Sequence, residues 1–356
     1  MTTAIHTIFT RRLAIGAALA LGLACQAEAA RYKVQLLDKG PYESVTVRDL
    51  NNAGQMVGVA YMPNGAASAV RWNGTAITTL DATGFIGSGA RAINNHGAVV
   101  GSVEDGRNLP VAAAWSAAGQ LTTMGRQYWY TTALAINDAG QIAGYANIAA
   151  TPYQTRVVRW SGPDQALEDL FGGVGTEGYA IDGAGRVGGI QYDSSSQGGR
   201  YASTWSGGVQ TLLPGTDSSN ATITAMNEAG VAVGDAPTLI PVEGTRLRAV
   251  KWTGNGVPAI LPAANAIDSR AVDVNKPGQV LGTITSKNIW GVTKLRPVIW
   301  SGTKVIDLSA SLDFWYLISG WTVVNVVSLN DAGEVAVHLR KGADGELRAA
   351  LLTPVP

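Results

Sequence analysis

The chain holds few groups that could run chemistry. Beyond residue 30 its only histidines are His96 and His338. A catalytic or structural metal needs three or four convergent ligands, and no pair of His or Cys at ligand spacing is present. His96 falls at the variable position of a turn and reads as a surface residue. His338 is expected to open the loop that follows the last turn's returning strand, a place held elsewhere by Tyr145 and Asp235. A His, Tyr and Arg cluster there could abstract a proton, as a polysaccharide lyase requires. The turn carboxylates Asp138, Glu228 and Asp331 each stand alone, and a single carboxylate supplies too few oxygens for calcium. Gly173 to Gly178 matches GxGxxG, but a strand-like Tyr179-Ala180-Ile181 follows where a dinucleotide site needs a helix. No GxSxG elbow, Walker loop or HExxH helix occurs. The expectation is a chain without catalytic residues, metal or cofactor.

Aromatic residues are the stronger signal. Trp129, Tyr130, Trp290, Trp315 and Tyr316 stand outside any repeated position, in segments rich in polar residues. Such side chains suit stacking on sugar rings or anchoring a protein. Tyr145 and Arg156 join them as candidate ligand contacts. Arg156 is one of four arginines, with Arg248, Arg296 and Arg348, placed four residues before a repeated aliphatic or Trp position, which also fits hydrogen bonding between repeats.

What must position these residues is a repeat. Seven copies run DLNNAGQMVG (49–58), AINNHGAVVG (92–101), AINDAGQIAG (135–144), AIDGAGRVGG (180–189), AMNEAGVAVG (225–234), DVNKPGQVLG (273–282) and SLNDAGEVAV (328–337). Asn at the first turn position can bond the backbone two residues on, and Gly at the fourth can turn left-handed. The turn glycines recur every 43 to 55 residues, close to the period of a propeller blade. Each copy precedes an apolar run ending in Trp (72, 115, 160, 205, 252, 300), or in Leu352 in the last copy, and then, in the first six, a run ending in Leu or, in the second copy, Met124. These are four short strands, a to d: AxxIN, GxxVG, AxxW and xIxxL.

The fold expected is all-β: a seven-bladed β-propeller with four strands per blade. Its blades fall near 45–81, 88–124, 131–170, 177–213, 221–262, 269–308 and 324–354. The last copy lacks strand d, and Arg31 to Asp38 resembles one, so 31–38 should close the last blade and remove exposed edges. The a–b and c–d turns then share one face. The longer b–c and d–a connections, which carry the candidate aromatics, share the other. Variable loops on a rigid scaffold are where function concentrates.

Residues 1–29 read as an export signal. Arg11 and Arg12 precede the apolar LAIGAALALGLA (13–24), and Ala27-Glu28-Ala29 fits small-residue cleavage. The run is short for a membrane span. Cleavage removes Cys25, the only cysteine, so residues 30–356 form one domain with neither a disulfide nor a thiol site. The 356-residue chain has a formal net charge of +0, which favours neither nucleic acid nor an anionic membrane. The expected location is secreted or periplasmic.

The repeat resembles that of the bacterial extracellular family known for HAF repeats, A-x-I-N-x-x-G-x-x-V-G followed by a Trp strand. Ala92-Ile93-Asn94 with Gly97 and Gly101, and Ala135-Ile136-Asn137 with Gly140 and Gly144, carry the resemblance, as do Trp115 and Trp160. It implies a secreted repeat protein and supplies no catalytic motif. The reading is a non-enzymatic binding or structural module for extracellular glycan or a protein partner. The alternative is a carbohydrate-active enzyme, such as a lyase using His338.

Overall fold

Each Asn-x-x-Gly segment forms the expected turn. The seven turn glycines have φ between +72° and +85°, a region open to glycine without steric cost. In the first copy Asn51 Oδ1 accepts from Ala53 N and from Gln55 N, both at 3.0 Å. The computed structural model describes residues 31–355, apart from 108, 149–153, 171–174, 193–198, 217–219, 242 and 289. The export segment expected at 1–29 lies outside the described residues.

The turns join seven four-stranded antiparallel sheets, each in the order a-b-c-d. They span 44–79, 87–124, 131–169, 176–212, 222–260 and 266–307, while the seventh combines 321–355 with Arg31–Leu36. In that last sheet the N-terminal strand is strand d. Arg31 lies opposite Val355 and Leu36 opposite Ala350. The seven-bladed propeller closed by its N-terminal strand is therefore the architecture observed.

The core lies between blades. Val57 and Ala69 of blade one pack with Ala90, Ile93, Val99 and Trp115 of blade two. All six Trp of strand c are at most 1% exposed, and Leu352 fills the seventh place fully buried. A buried indole needs a partner for its N–H. Trp72, Trp115, Trp252 and Trp300 each donate to a carbonyl just past strand d of the preceding blade: Asp38, Asp81, Pro214 and Pro262, at 2.6–3.0 Å. Asp38 follows the closing strand, so this lock also crosses the junction of the chain's two ends.

The turn asparagines do more than shape their own turns. Asn51 Nδ2 donates to Asn94 O, Asn94 to Asn137 O, and Asn137 to Asp182 O, at 2.8–3.1 Å. Asn227, Asn275 and Asn330 continue the series at 2.9–3.2 Å, and Asn330 returns to Asn51 O. Asp182 has no donor to pass on. There Arg186 takes over, donating Nε to Asp182 Oδ2 at 3.0 Å and Nη2 to Gly230 O at 2.7 Å. One face of the ring is thus stitched blade to blade around its axis.

Candidate functional site

Strand a carries a β-bulge in every blade, a feature the repeat pattern alone does not show. The extra residues are Arg48, Arg91, Leu134, Tyr179, Thr224, Val272 and Val327. A bulge turns its extra side chain out of the ordinary alternation. All seven line the axial channel on the loop-bearing side. The glycine that ends GxxVG makes room for this. A Cβ on Gly58, Gly101, Gly144, Gly189, Gly234 or Gly282 would fall inside the radius of a strand-a carbonyl oxygen. Blade seven has Val337 there and keeps the bulge, and its strand a, like that of blade six, shifts register twice.

The channel narrows at Asp49, Ile136, Ile181, Met226, Asp273 and Ser328, which line the space on both sides of the waist. Half the waist is apolar. The other half, from blades six, seven and one, is an acidic pair bridged by a hydroxyl. Ser328 Oγ lies 2.8 Å from Asp49 Oδ1 and 3.0 Å from Asp273 Oδ2. Backbone N–H groups of Ile93 and Leu329 donate to the same carboxylates at 2.8 and 2.7 Å. Desolvation, and then the charge of Asp273, push Asp49 up to about 7 despite those hydrogen bonds. Desolvation also raises Asp273.

Beside the mouth a cavity of about 710 Å3 opens between blades four, five and six. Tyr179 and Thr224 border both spaces. The volume lies in the range of ligand pockets, about 300–1,000 Å3. Asp235 lies in its wall, 8% exposed, and Arg200, Arg270, Asn220 and Thr222 surround it. Desolvation raises the Asp235 pKa, while the charges of Arg270 and Arg200 and a hydrogen bond from Thr222 oppose the shift. Long hairpins extend this side of the ring. Strands b and c of blade five run Val231–Ile240 and Gly244–Thr253, and Pro237 and Leu247 bring that hairpin to the cavity.

The candidate aromatics lie on this same face, but not together. Tyr130 and Tyr145 form an edge-on pair with ring centres 6.3 Å apart, in blade three. Trp129, beside them, is 57% exposed. Trp290 sits at the tip of the blade-six hairpin and is 79% exposed, with no ring contact among the described residues. Trp315 and Tyr316 belong to a short helix, Phe314–Ile318, rather than an irregular loop. There Trp315 meets Phe314 at 5.7 Å, and Tyr316 meets Trp321 at 6.1 Å. Arg156 is already committed, its Nη1 lying 2.7 Å from Asp169 Oδ2 in its own blade. Of its three counterparts, Arg248 reaches the next blade, donating to Ile267 O at 2.8 Å. Arg296 faces Asp307 of its own blade, and Arg348 faces Leu37 O of the closing strand.

His338 does not open a loop. It lies within strand b of blade seven, Val335–Lys341, and is 3% exposed. Desolvation, and then the Arg48 charge, hold its imidazole down to about 4, so it is neutral near pH 7. Strand Thr176–Ile181 begins inside the GxGxxG match, where a dinucleotide site would have a helix. Among the described residues no three His, Cys, Asp or Glu converge as metal ligands, and no helix is long and apolar enough to cross a membrane.

Strand order, closure and a bulge-lined axis define a seven-bladed β-propeller with an open loop-side mouth. Among solved structures, the chain is similar to the propeller domain of the Trilobed protease from Pyrococcus furiosus, with TM-score 0.55, 8% identity, and 87% of this chain and 94% of that one covered. It is also similar to a puromycin-hydrolyzing peptidase of Mycobacterium tuberculosis, with TM-score 0.54, 11% identity and 90% of this chain covered. The chain spans 56% of that peptidase's length. At such identities the likeness is one of fold alone. No family model and no curated protein matches the sequence.

Proposed function

We propose that the chain is an exported HAF-type repeat propeller that serves as a non-enzymatic binding module for extracellular glycan, with the loop-bearing face as its ligand face. One observation carries this reading: the two faces differ. The turn face carries uniform tight turns laced blade to blade by side chain-to-backbone hydrogen bonds around a small channel end of about 150 Å3. The loop face opens into a channel mouth and a polar cavity, and it displays Trp129, Trp290 and Trp315 to solvent. Rigid rings with apolar faces suit stacking on pyranoses, and the cavity supplies hydrogen-bonding groups for hydroxyls. The enclosed, neutral His338 weighs against the lyase alternative. A protein partner is the second reading, favoured by exposed Phe314, Trp315, Leu317 and Ile318 on one short helix.

The test is calorimetric titration of residues 30–356 with a panel of neutral and acidic oligosaccharides, repeated for Trp129→Ala, Trp290→Ala and Trp315→Ala. At least one Trp variant should bind roughly tenfold more weakly, since loss of one stacking anchor typically costs more than 1 kcal/mol. A panel that gives no binding sinks the glycan reading. Wild-type affinity in all three Trp variants removes the aromatics from the site.

A further inference from the structure

The fold uses most of its guanidiniums internally. Arg71, Arg156, Arg159, Arg186 and Arg248 all reach a carbonyl or carboxylate of the protein. Arg200 and Arg270 do not. Both line the cavity between blades four, five and six, and among the described residues neither side chain makes a hydrogen bond or ion pair with the protein. An arginine fork presents five N–H donors in one plane, a shape that matches a carboxylate or sulfate with two parallel bonds. Two such forks facing one cavity, with Asp235 as the single carboxylate in its lining, leave it one positive charge in excess.

We infer that this cavity takes an acidic sugar residue, whose carboxylate or sulfate group is held by Arg200 and Arg270. This rests on the loop face being the ligand face. Asp235 has a second part to play. Nearly buried between the two cations, it can accept from a sugar hydroxyl, as can Asn220 Oδ1 at the rim. Asn220 is already oriented, because its Oδ1 takes the Arg200 backbone N–H at 3.0 Å. Tyr179, hydrogen-bonded to Glu177, presents a ring where the cavity meets the channel mouth. The combination is an anion fork, a hydroxyl acceptor and an aromatic wall. A neutral glycan would leave both guanidiniums without an anionic partner, so the cavity discriminates in favour of acid.

The experiment titrates the exported chain with trigalacturonate, sulfated maltohexaose and neutral maltohexaose, at low and at high NaCl. The variants are Arg200→Gln, Arg270→Gln, Arg270→Lys and, as a charge-matched control, Arg71→Gln, whose guanidinium lies on the opposite face. At least one acidic probe should bind well above the neutral one, and salt should weaken it. Arg200→Gln and Arg270→Gln should each lower its affinity roughly 10- to 100-fold, the cost of a charge-assisted hydrogen bond. Arg270→Lys should fall between, and Arg71→Gln should match wild type. Preference for trigalacturonate assigns a carboxylate, and preference for the sulfated probe assigns a sulfate. Equal binding of neutral and acidic probes, with loss only in the Trp variants, overturns this inference and leaves the binding face intact. Equal weakening by the three Arg→Gln variants, with Arg270→Lys binding like wild type, reduces the effect to diffuse charge and overturns it as well. If no probe binds, both readings fall.

Discussion

Ser328 has one hydroxyl proton and stands between two carboxylates, 2.8 and 3.0 Å away. It can donate to only one of them, so the second short contact needs a proton on the other acid. With Asp49 raised to about 7, that proton stays in the folded ring through mildly acid pH. A carboxyl whose folded pKa lies above its unfolded value stabilises the fold in acid, and the contribution is lost as pH rises through about 7. His338 has the opposite sign. Its folded pKa near 4 lies below the unfolded value of about 6.5, so its contribution is present above pH 6.5 and lost as pH falls towards 4. Between about pH 4 and 6.5 the two slopes oppose each other, and each variant should unmask the other group. Relative to wild type, His338→Gln should gain stability on acidification, and Asp49→Asn should lose it. Urea midpoints at several pH values across that window check this, and slopes of the same sign in the two variants would refute it.

At the scale of the strand, bulge and glycine form one device. The bulged residue points into the channel because the facing strand approaches too closely for any side chain, which is why Gly144 faces the carbonyl of Thr132. Gly144→Ala should destabilise the protein by about 1–3 kcal/mol or more, the usual cost of overpacking, and lower its melting temperature. A variant that melts with wild type would break the link between the glycine and the bulge. The turns, the Trp places and the closing strand were legible because each depends on residues adjacent in sequence or repeated at one spacing. The bulges were not. One inserted residue changes which face AxxIN presents without changing its letters. The acidic waist left a visible trace, since DLN, DVN and SLN depart from the AIN of other copies. Their meeting follows only once the ring closes and places blades six, seven and one side by side. Arg200, Asp235 and Arg270 come from three blades and three different strands, so no repeat alignment brings them together. The candidate Trp come from three different connections, after blade two, within blade six and after blade six, so a shared face does not by itself gather them into one patch.

For the whole molecule the decisive element is the closing strand. Arg31–Leu36 covers the edge of Leu347–Val355, buries Tyr32 and Val34, and leads to the Asp38 carbonyl that receives the Trp72 indole at 2.8 Å. Removing 31–38 should therefore loosen blades seven and one together and lower the melting temperature of the entire protein. A truncated form that melts like wild type would show the ring to be self-sufficient. An asparagine ring that passes from Asn330 back to Asn51 crosses the same junction on the turn face. This joint also sets an order in time. Strand Arg31–Leu36 is synthesised before the other strands of the ring, and its partner Leu347–Val355 after all of them. Until the nine-residue strand Leu347–Val355 emerges, the early strand lacks its ladder partner and has only the bridge from Tyr32 to Ser311 and Asp313, so the ring cannot be completed before then. Closure of this propeller therefore waits on Leu347–Val355, and a chain cut short of that strand would leave Arg31–Leu36 without its partner.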